Sequence, residues 1–357
     1  MFLSSPFPFG LDISDFSIKA VSLKERHLAK NKELVLSAFG QIAVPEGYFN
    51  KGEIKEFEKI AGLIKKLLKN LAKGKIATPY VISVLPESKT FIKLIETPFI
   101  EDENILETIK SEIGRDIPVS LEESYLDWQI ISKDSKKNTF KILIAVAPKK
   151  MVDDYTLLLK KAGLKPLAFE IESVAIARCL INSKKIDCEQ PLAIIDLGAS
   201  RGSIIVFDEE TIQLTSTISV SGQEISAALS SKLKISMPEA EKIKIVCGLN
   251  AEKCKKTIDE ILEPAIEKLV KKTQEIINFY QNQTNKKINK ILLCGGASNL
   301  KGLELFLSKK LKIETKKGNL LANLCLENPP ISPDDFLSYA TAIGLSLRAP
   351  LKKNNIL

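Results

Sequence analysis

Two aspartates stand at the same place in two similar segments of the sequence. Asp12 ends an apolar run that begins at Phe9, Asp196 ends a run that begins at Leu192, and each precedes a turn of small and hydroxyl-bearing residues and a second apolar strand. Backbone N–H groups in such turns can point at an anion, and a carboxylate beside them can face the metal ion that accompanies a phosphate. The repeat predicts a nucleotide site in a duplicated fold whose halves face each other across a cleft.

A third segment carries the pattern of a nucleotide-contacting turn. The predicted strand Lys290–Cys294 runs into Gly295 and Gly296, and a helix is expected over Leu303–Leu311. Residues without a Cβ atom let a phosphate or a flat ring approach the backbone closely. A lone Gly-Gly pair is more often an ordinary turn, but its place after both aspartate turns favours the nucleotide interpretation.

The elements that position these residues alternate between strands and helices. After three opening strands we expect a helix over Glu53–Leu71, which carries an apolar stripe, and a buried strand over Tyr80–Leu85. A helical region is predicted at 251–285, where Pro264 indicates that a new helix begins near Glu263. Both halves place a βββα arrangement around their aspartate turn, which indicates an α/β fold.

Composition narrows the class of protein. The chain has 357 residues with 45% hydrophobic content and a formal charge of +8, enough to bury more than one core. Because the lysines fall on polar helix faces without an aromatic-rich basic groove, we expect no nucleic-acid partner. Six cysteines without a C-x-x-C pair argue against a metal cluster and favour free thiols. Without a basic leader or an apolar run of about 20 residues, a cytosolic protein is expected.

Several motifs occur together in an order typical of one superfamily. The motifs resemble those of the actin-like ATPases, which include actin, the heat-shock chaperone ATPase domain, FtsA and MreB. They lie at Gly10–Leu23, Ala162–Pro166, Glu170–Ser173, Gly295–Ala297 and Ser338–Arg348. Within this superfamily the chain resembles the PilM family of type IV pilus assembly. The resemblance extends over nearly the whole sequence.

This resemblance implies a ribonuclease H-like fold, a duplicated βββαβα unit in two lobes with a small inserted α+β subdomain. The position of that insertion after the first lobe is similar to FtsA and PilM and differs from actin and MreB. The implied boundaries are 9–86 for the first lobe, completed by about 172–190 and 335–350; 87–170 for the inserted subdomain; 191–236 and 287–334 for the second lobe; and 237–286 for a helical nucleotide-flanking subdomain.

The resemblance also implies roles for matching residues. Glu172 would orient the attacking water, with a solvated acid at a helix start as the alternative. Lys19 would offset phosphate charge, or be a solvated strand lysine. Glu241 and Lys244 share one helix face and would meet the ribose and base edge, or form an ordinary ion pair. The residues implied to face Mg²⁺, mostly through water, are Asp12 and Asp196. The implied ATP-binding residues are Ser14, Asp15, Phe16, Ser17, Lys19, Gly198, Ala199, Ser200, Gly222, Glu241, Lys244, Gly295, Gly296, Ala297 and Asn299.

Both phosphate turns depart from the usual pattern of the superfamily. Ser14 stands where glycine is usual, and Asp15 brings a carboxylate near the expected phosphates. In the second turn Arg201 and Gly202 replace a pattern that ends in threonine, which removes a hydroxyl that often helps to hold the γ-phosphate or its metal. We therefore expect ATP binding with weak or absent hydrolysis.

The resemblance implies a cytoplasmic ATP-binding scaffold at the inner face of the cytoplasmic membrane. Such a protein would hold the cytoplasmic N-terminal tail of a PilN-like inner-membrane protein between the first lobe and the insertion, and would communicate with the pilus motor ATPases. We expect Phe91, Ile113 and Tyr125 to line or support this groove. Burial in the insertion's own core is the alternative for each of them.

Two other functions stay open at this point. An FtsA-like filament or cell-division protein would normally end in an amphipathic membrane-targeting helix, for which the tail after Pro350 is too short. An ATP-dependent sugar or acetate-type kinase shares the fold but needs a general base near the γ-phosphate, and the sequence indicates no convincing one. The oligomeric state is also open, with a homo-oligomer as one alternative.

Overall fold

The computed structural model describes residues 7–28, 31–98, 105–114, 120–134, 138–182, 190–249, 256–325 and 333–348, so the tail after Pro350 lies outside the described residues. The strands, numbered in chain order, are β1 (Phe9–Ile13), β2 (Ser17–Leu28), β3 (Asn31–Ala43), β4 (Phe49–Asn50), β5 (Glu53–Ile54), β6 (Tyr80–Leu85), β7 (Phe91–Pro98), β8 (Ser124–Asp134), β9 (Thr139–Pro148), β10 (Lys165–Ile171), β11 (Leu192–Leu197), β12 (Gly202–Asp208), β13 (Thr211–Ile218), β14 (Lys290–Cys294) and β15 (Glu314–Lys317). The helices are α1 (Phe57–Lys69), α2 (Ile105–Ile113), α3 (Lys149–Lys161), α4 (Glu172–Leu180), α5 (Gly222–Leu233), α6 (Met237–Cys247), α7 (Lys256–Thr284), α8 (Leu303–Leu311), α9 (Pro333–Phe336) and α10 (Ala340–Arg348).

Among the described residues, two five-stranded sheets repeat one topology. In the first sheet β3, β2 and β1 form an antiparallel meander, which β6 and β10 extend in parallel. In the second sheet β13, β12 and β11 form the meander, which β14 and β15 extend in parallel. The α/β class and the duplicated two-lobed fold predicted from the aspartate repeat are confirmed.

Helices cover both sheets and join them. Helices α1 and α3 pack on the first sheet, and α5 to α8 pack on the second. Between the sheets, α4 and α10 share a core with strands of both lobes. Where these two helices cross, a Cβ atom at Gly344 would come within 1.8 Å of the Ala175 carbonyl oxygen. Glycine therefore permits the close approach that brings both lobes to a common base of the cleft.

The inserted subdomain is a three-stranded antiparallel sheet in the order β7-β9-β8, with α2 on one face. Ile113 is fully buried in its core beside Ile109 and Ile142, so it does not line a surface groove. The expected end of the insertion at residue 170 differs from the sheet topology. Strand β10 pairs with β6 in the first sheet, and α3 packs into the first lobe's core because its apolar face includes Tyr155, Leu158 and Leu159.

The start of the first helix also differs from the prediction. Helix α1 begins at Phe57, whereas Glu53 belongs to a short hairpin of β4 and β5. Lys51 and Gly52 adopt positive φ angles of 49° and 82°, which turn the chain between these two strands. The apolar periodicity of the helix continued into the hairpin and concealed this turn.

The predicted helix break at Pro264 is wrong. Helix α7 continues through this residue without ending. Leu262, Ile266 and Leu269 are fully buried in the second lobe's core on either side of it. This packing offsets the hydrogen bond that an interior proline removes.

The cysteines and the helices bear on two expectations from composition. Cys179, Cys294 and Cys325 form no disulfide, whereas Cys247 is disulfide-bonded, so the expectation of free thiols is wrong at Cys247. Among the helices in the described ranges, none combines the length and apolar content needed to cross a bilayer.

Candidate nucleotide site

Both aspartates lie at the carboxyl end of the first strand of their meander. Asp12 in β1 pairs in register with Lys19 of β2, and its Oδ2 lies 3.8 Å from the lysine Nζ. Asp196 in β11 pairs with Ser203 of β12 and in parallel with Cys294 of β14, whose thiol lies 3.6 Å from Asp196 Oδ1. The charge of Asp12 acts on Asp196 and raises its pKa further. The two carboxylates therefore lie within electrostatic reach of each other.

The first phosphate turn is held by its own side chains. Ser14 donates through its N–H and its hydroxyl to the Ser17 carbonyl, at 3.0 and 2.9 Å. Lys19 is buried rather than solvated, and its Nζ donates to Ser17 Oγ at 2.8 Å. The Asp15 carboxylate accepts the Gly52 N–H at 2.9 Å, which ties the β4–β5 hairpin to the turn. The turn is thus ordered before any ligand enters.

Both turns leave amide groups available to an anion. The second turn is closed by a hydrogen bond of 2.9 Å from the Gly198 N–H to the Arg201 carbonyl. Within the described part of the chain, four turn N–H groups make no hydrogen bond: those of Asp15, Phe16, Ala199 and Ser200. Free amides beside two carboxylates suit a phosphate chain with its Mg²⁺ ion, because the amides bind anionic oxygens and the carboxylates bind the metal or its waters. The residues of the two turns therefore fit a phosphate chain with its Mg²⁺ ion.

Distant stretches of the second lobe converge at Gly222, the first residue of α5. A Cβ atom at this position would lie 3.3 Å from the Ala297 Cβ, 3.4 Å from Lys244 Nζ and 3.5 Å from the Gly198 carbonyl oxygen. Lys244 is buried and donates to the Gly222 carbonyl at 3.0 Å. Four positions implied by the resemblance therefore lie together.

The remaining implied residues extend this cluster. Glu241 Oε2 accepts from Lys244 at 2.7 Å and from the Ser226 hydroxyl at 2.5 Å, so the ion pair considered as the alternative is present. Gly295 adopts a φ of 82°, and a Cβ atom there would lie 2.4 Å from Asp196 Oδ1. A 3₁₀ turn over Gly296–Asn299 follows, and Gly296 is exposed. The glycine turn thus lies directly against the second aspartate.

Burial raises the pKa of each acid at the base of the cleft. The pKa rises to about 6 for Asp196, to about 7 for Glu87 and to about 8 for Glu172. In all three, removal from water is the largest cause of the rise. Burial also raises the pKa of Asp12, while Lys19 and Arg201 oppose this rise. A cation bound here would relieve the electrostatic cost of these buried acids.

Three residues without an assigned role in the sequence analysis complete the base of the cleft: Glu87, Ser88 and Arg201. Glu87 lies two residues after the end of β6 and accepts the Ser173 N–H at 3.1 Å. Arg201 Nη1 donates to Ser88 Oγ at 2.8 Å, and its Nη2 lies 3.8 Å from Glu172 Oε1. The Glu172 side chain is 13% exposed, so it is not a solvated acid. A usable signal existed for Glu87, because an acid just beyond the carboxyl end of a buried parallel strand lies at the ligand-binding edge of the sheet.

The substitution Glu87→Gln is expected to flatten the pH dependence of stability in the nucleotide-free protein. Between about pH 4.5 and 7 the folded protein keeps a proton on Glu87 that the unfolded chain releases, so stability falls as pH rises through this window. Glutamine can still accept the Ser173 N–H but carries no charge. Its advantage over the wild type should reach on the order of 3 kcal/mol above pH 7 and vanish below pH 4.5.

Thermal melting of both proteins at pH 5 and pH 8 measures this effect. The exposed Glu123→Gln substitution is the matched control and should shift both melting temperatures equally. A Glu87→Gln advantage of the same size at both pH values would contradict the assignment.

Several solved structures share the fold of this chain. The "PilM-PilN type IV pilus biogenesis complex" superposes with a TM-score of 0.83 at 21% identity, over 97% of this chain and 99% of that chain. The ethanolamine utilization protein EutJ from Carboxydothermus hydrogenoformans gives 0.58 at 16% identity, over 97% and 90%. MreB5 of Spiroplasma citri bound to AMPPNP gives 0.54 at 14% identity, over 97% and 96%. The chain has the actin-like fold, with two lobes around a cleft.

The family follows from the sequence itself. The model of the family described as "Type IV pilus assembly protein PilM" matches residues 10–350, nearly the full length. The chain belongs to this family, which confirms the resemblance inferred from its motifs. A search of curated proteins returned no significant match.

Proposed function

We propose that this chain is an ATP-binding scaffold of type IV pilus machinery that binds the cytoplasmic N-terminal tail of a PilN-like inner-membrane protein. It would act at the inner face of the cytoplasmic membrane and couple that tail to the assembly motor ATPases. The observation that carries the ATP-binding part is the convergence of two aspartate turns and a glycine turn on one cleft. The family match supports the pilus role and does not favour an FtsA-like filament or a sugar kinase.

The chain's own residues suit nucleotide binding better than hydrolysis. When bound, Mg-ATP would supply a polyanion for the free turn N–H groups of both lobes and a divalent cation for Asp12 and Asp196. Asp15 adds a carboxylate to the first phosphate turn, where it accepts the Gly52 N–H at 2.9 Å. Gly202 supplies no hydroxyl at the second turn. We therefore propose that nucleotide sets the relative orientation of the lobes with little turnover.

A groove on the first lobe suits an extended apolar tail. Helix α3 and strand β10 line a groove of about 420 Å³. Within the described residues β10 is the outer strand of its sheet, so an extended peptide can pair with its free edge. Leu167 lies at a bulge in β10 and is 57% exposed beside this groove.

The inserted subdomain reaches the same helix. The Tyr125 hydroxyl donates to Asp153 of α3 at 3.2 Å, and the tyrosine is 48% exposed. Phe91 packs against the core of the insertion, as does the buried Ile113. Of the three predicted groove residues, Tyr125 remains in the proposed tail site.

The substitution Leu167→Glu is expected to weaken binding of a PilN-like tail peptide by about 10- to 100-fold, because burial of a leucine side chain is worth about 1.5–3 kcal/mol. Because the Leu167 side chain is exposed, the substitution should leave the fold unchanged. Fluorescence anisotropy with a labelled tail peptide measures the effect.

Leu305 provides the matched control, since it is 68% exposed on α8 of the second lobe, away from α3 and β10. Leu305→Glu should leave peptide binding unchanged. Equal affinity of the Leu167→Glu and Leu305→Glu proteins would place the tail elsewhere.

A further inference from the structure

Arg201 leaves the second phosphate turn and crosses the cleft to the first lobe. Its Nη1 donates to Ser88 Oγ, and a Cβ atom at Gly52 would lie 3.8 Å from the same nitrogen. Its Nη2 lies 3.8 Å from Glu172 Oε1, at the start of α4. The side chain is 16% exposed. A residue of the second lobe is therefore held by the base of the first.

The guanidinium is held mainly by charge. Burial acts to lower the pKa of Arg201, but the fields of Glu172 and Asp15 outweigh it and raise the pKa. The separation of 3.8 Å from Glu172 is too long for a hydrogen bond. Among the described residues, Ser88 is the side-chain hydrogen-bond acceptor of Arg201, which has five N–H donors. Most of its donor capacity is available to another acceptor.

We propose that Arg201 recognises the terminal phosphate of a nucleoside triphosphate and exchanges its contacts with Ser88 and Glu172 for that phosphate. This inference rests on the proposed binding of ATP. Arg201 directly follows Ala199 and Ser200, whose N–H groups are free, and its planar fork matches a phosphate in two parallel hydrogen bonds. A diphosphate lacks the recognised group, so Arg201 stays on the first lobe. The residue thus makes the cleft sensitive to the number of phosphates.

The first test compares ATP and ADP affinities, each with Mg²⁺, by calorimetric titration of the full chain. Charge-assisted hydrogen bonds are worth about 1.5–3 kcal/mol, so Arg201→Gln should weaken ATP binding by about 10- to 100-fold. Its ADP affinity should change less than about twofold. Arg201→Lys keeps the positive charge but lacks the planar fork. Its ATP affinity should therefore lie between those of the wild type and Arg201→Gln.

The second test moves the affinity in the opposite direction. Ser88→Ala removes the partner that competes for Arg201 but leaves the guanidinium intact. ATP binding should strengthen by about 2- to 10-fold, the value of one ordinary hydrogen bond, while ADP binding stays the same. A residue that merely stabilised the fold would not produce this increase.

The outcomes separate this inference from the proposed function. If the wild-type chain binds neither nucleotide, both fail. If it binds ATP and ADP but Arg201→Gln leaves their ratio unchanged, the proposal for Arg201 alone is overturned. If Arg201→Gln fails to melt cooperatively, Ser88→Ala decides, and an unchanged ATP affinity in that variant overturns the proposal.

Discussion

The Asp196→Ala protein is expected to bind Mg-ATP about 10- to 100-fold more weakly than the wild type, a loss typical of residues that hold a metal through its waters. Asp196 ends β11, lies against the Gly295 turn and is within the field of Asp12. Asp12→Ala should have a similar effect, because it stands at the equivalent position of the duplicated meander. Titration of ATP with Mg²⁺ and with EDTA measures the loss and its dependence on the metal.

Thermal melting distinguishes a lost ligand site from a damaged fold. Burial raises the pKa of Asp196 to about 6, so its removal relieves a cost and should leave the nucleotide-free melting temperature unchanged or higher. Asp127 is exposed on β8, so Asp127→Ala is the matched control. This variant should bind Mg-ATP with the affinity of the wild type. Full Mg-dependent affinity in both site variants would refute the assigned roles.

The Glu170→Gln protein should be less stable by about 3–5 kcal/mol, the usual cost of removing one partner from a buried ion pair. Arg178 donates to both Glu170 oxygens, at 2.6 and 2.9 Å, and Arg348 approaches the same carboxylate at 2.9 Å. Arg178 also donates to the Gly344 carbonyl at 3.1 Å. This cluster joins β10, α4 and α10, so the substitution leaves buried positive charge at the junction of the two lobes.

Chemical denaturation followed by circular dichroism measures this loss. The exposed ion pair of Glu107 and Lys110 on α2 supplies the control. Glu107→Gln should lower the free energy of unfolding by less than about 1 kcal/mol. A similar small loss for Glu170→Gln would show that the junction tolerates unpaired arginines and would contradict a stabilising role for this buried ion pair.

The sequence predicted those features of the fold that depend on local patterns. An apolar strand that ends in Asp12 or Asp196, followed by a turn of small residues, is a short-range signal, and the repeat of this signal implied the duplication. Gly295 and Gly296 were assigned to a turn for the same reason. The α/β class followed from the alternation of strands and helices.

Features that depend on long-range packing were not predicted. Strand β10 belongs to the first sheet because it pairs with β6, about 85 residues earlier in the chain, and no local pattern encodes that pairing. Pro264 lies inside a helix because the core on both sides of it compensates for the missing hydrogen bond. Arg201 meets Ser88 and Glu172 only after the lobes assemble. The sequence marked this arginine as unusual without indicating its contacts.

The proposed scaffold function requires one chain to bind both a nucleotide and the tail of a PilN-like protein. The most direct measurement is calorimetric titration of that N-terminal tail peptide into the full chain, without nucleotide and with saturating Mg-ATP. The predicted result is one peptide per chain, with an affinity that Mg-ATP changes by at least about fivefold, as expected for two ligands that bias one hinge. Absence of peptide binding in both conditions would contradict the proposed scaffold function.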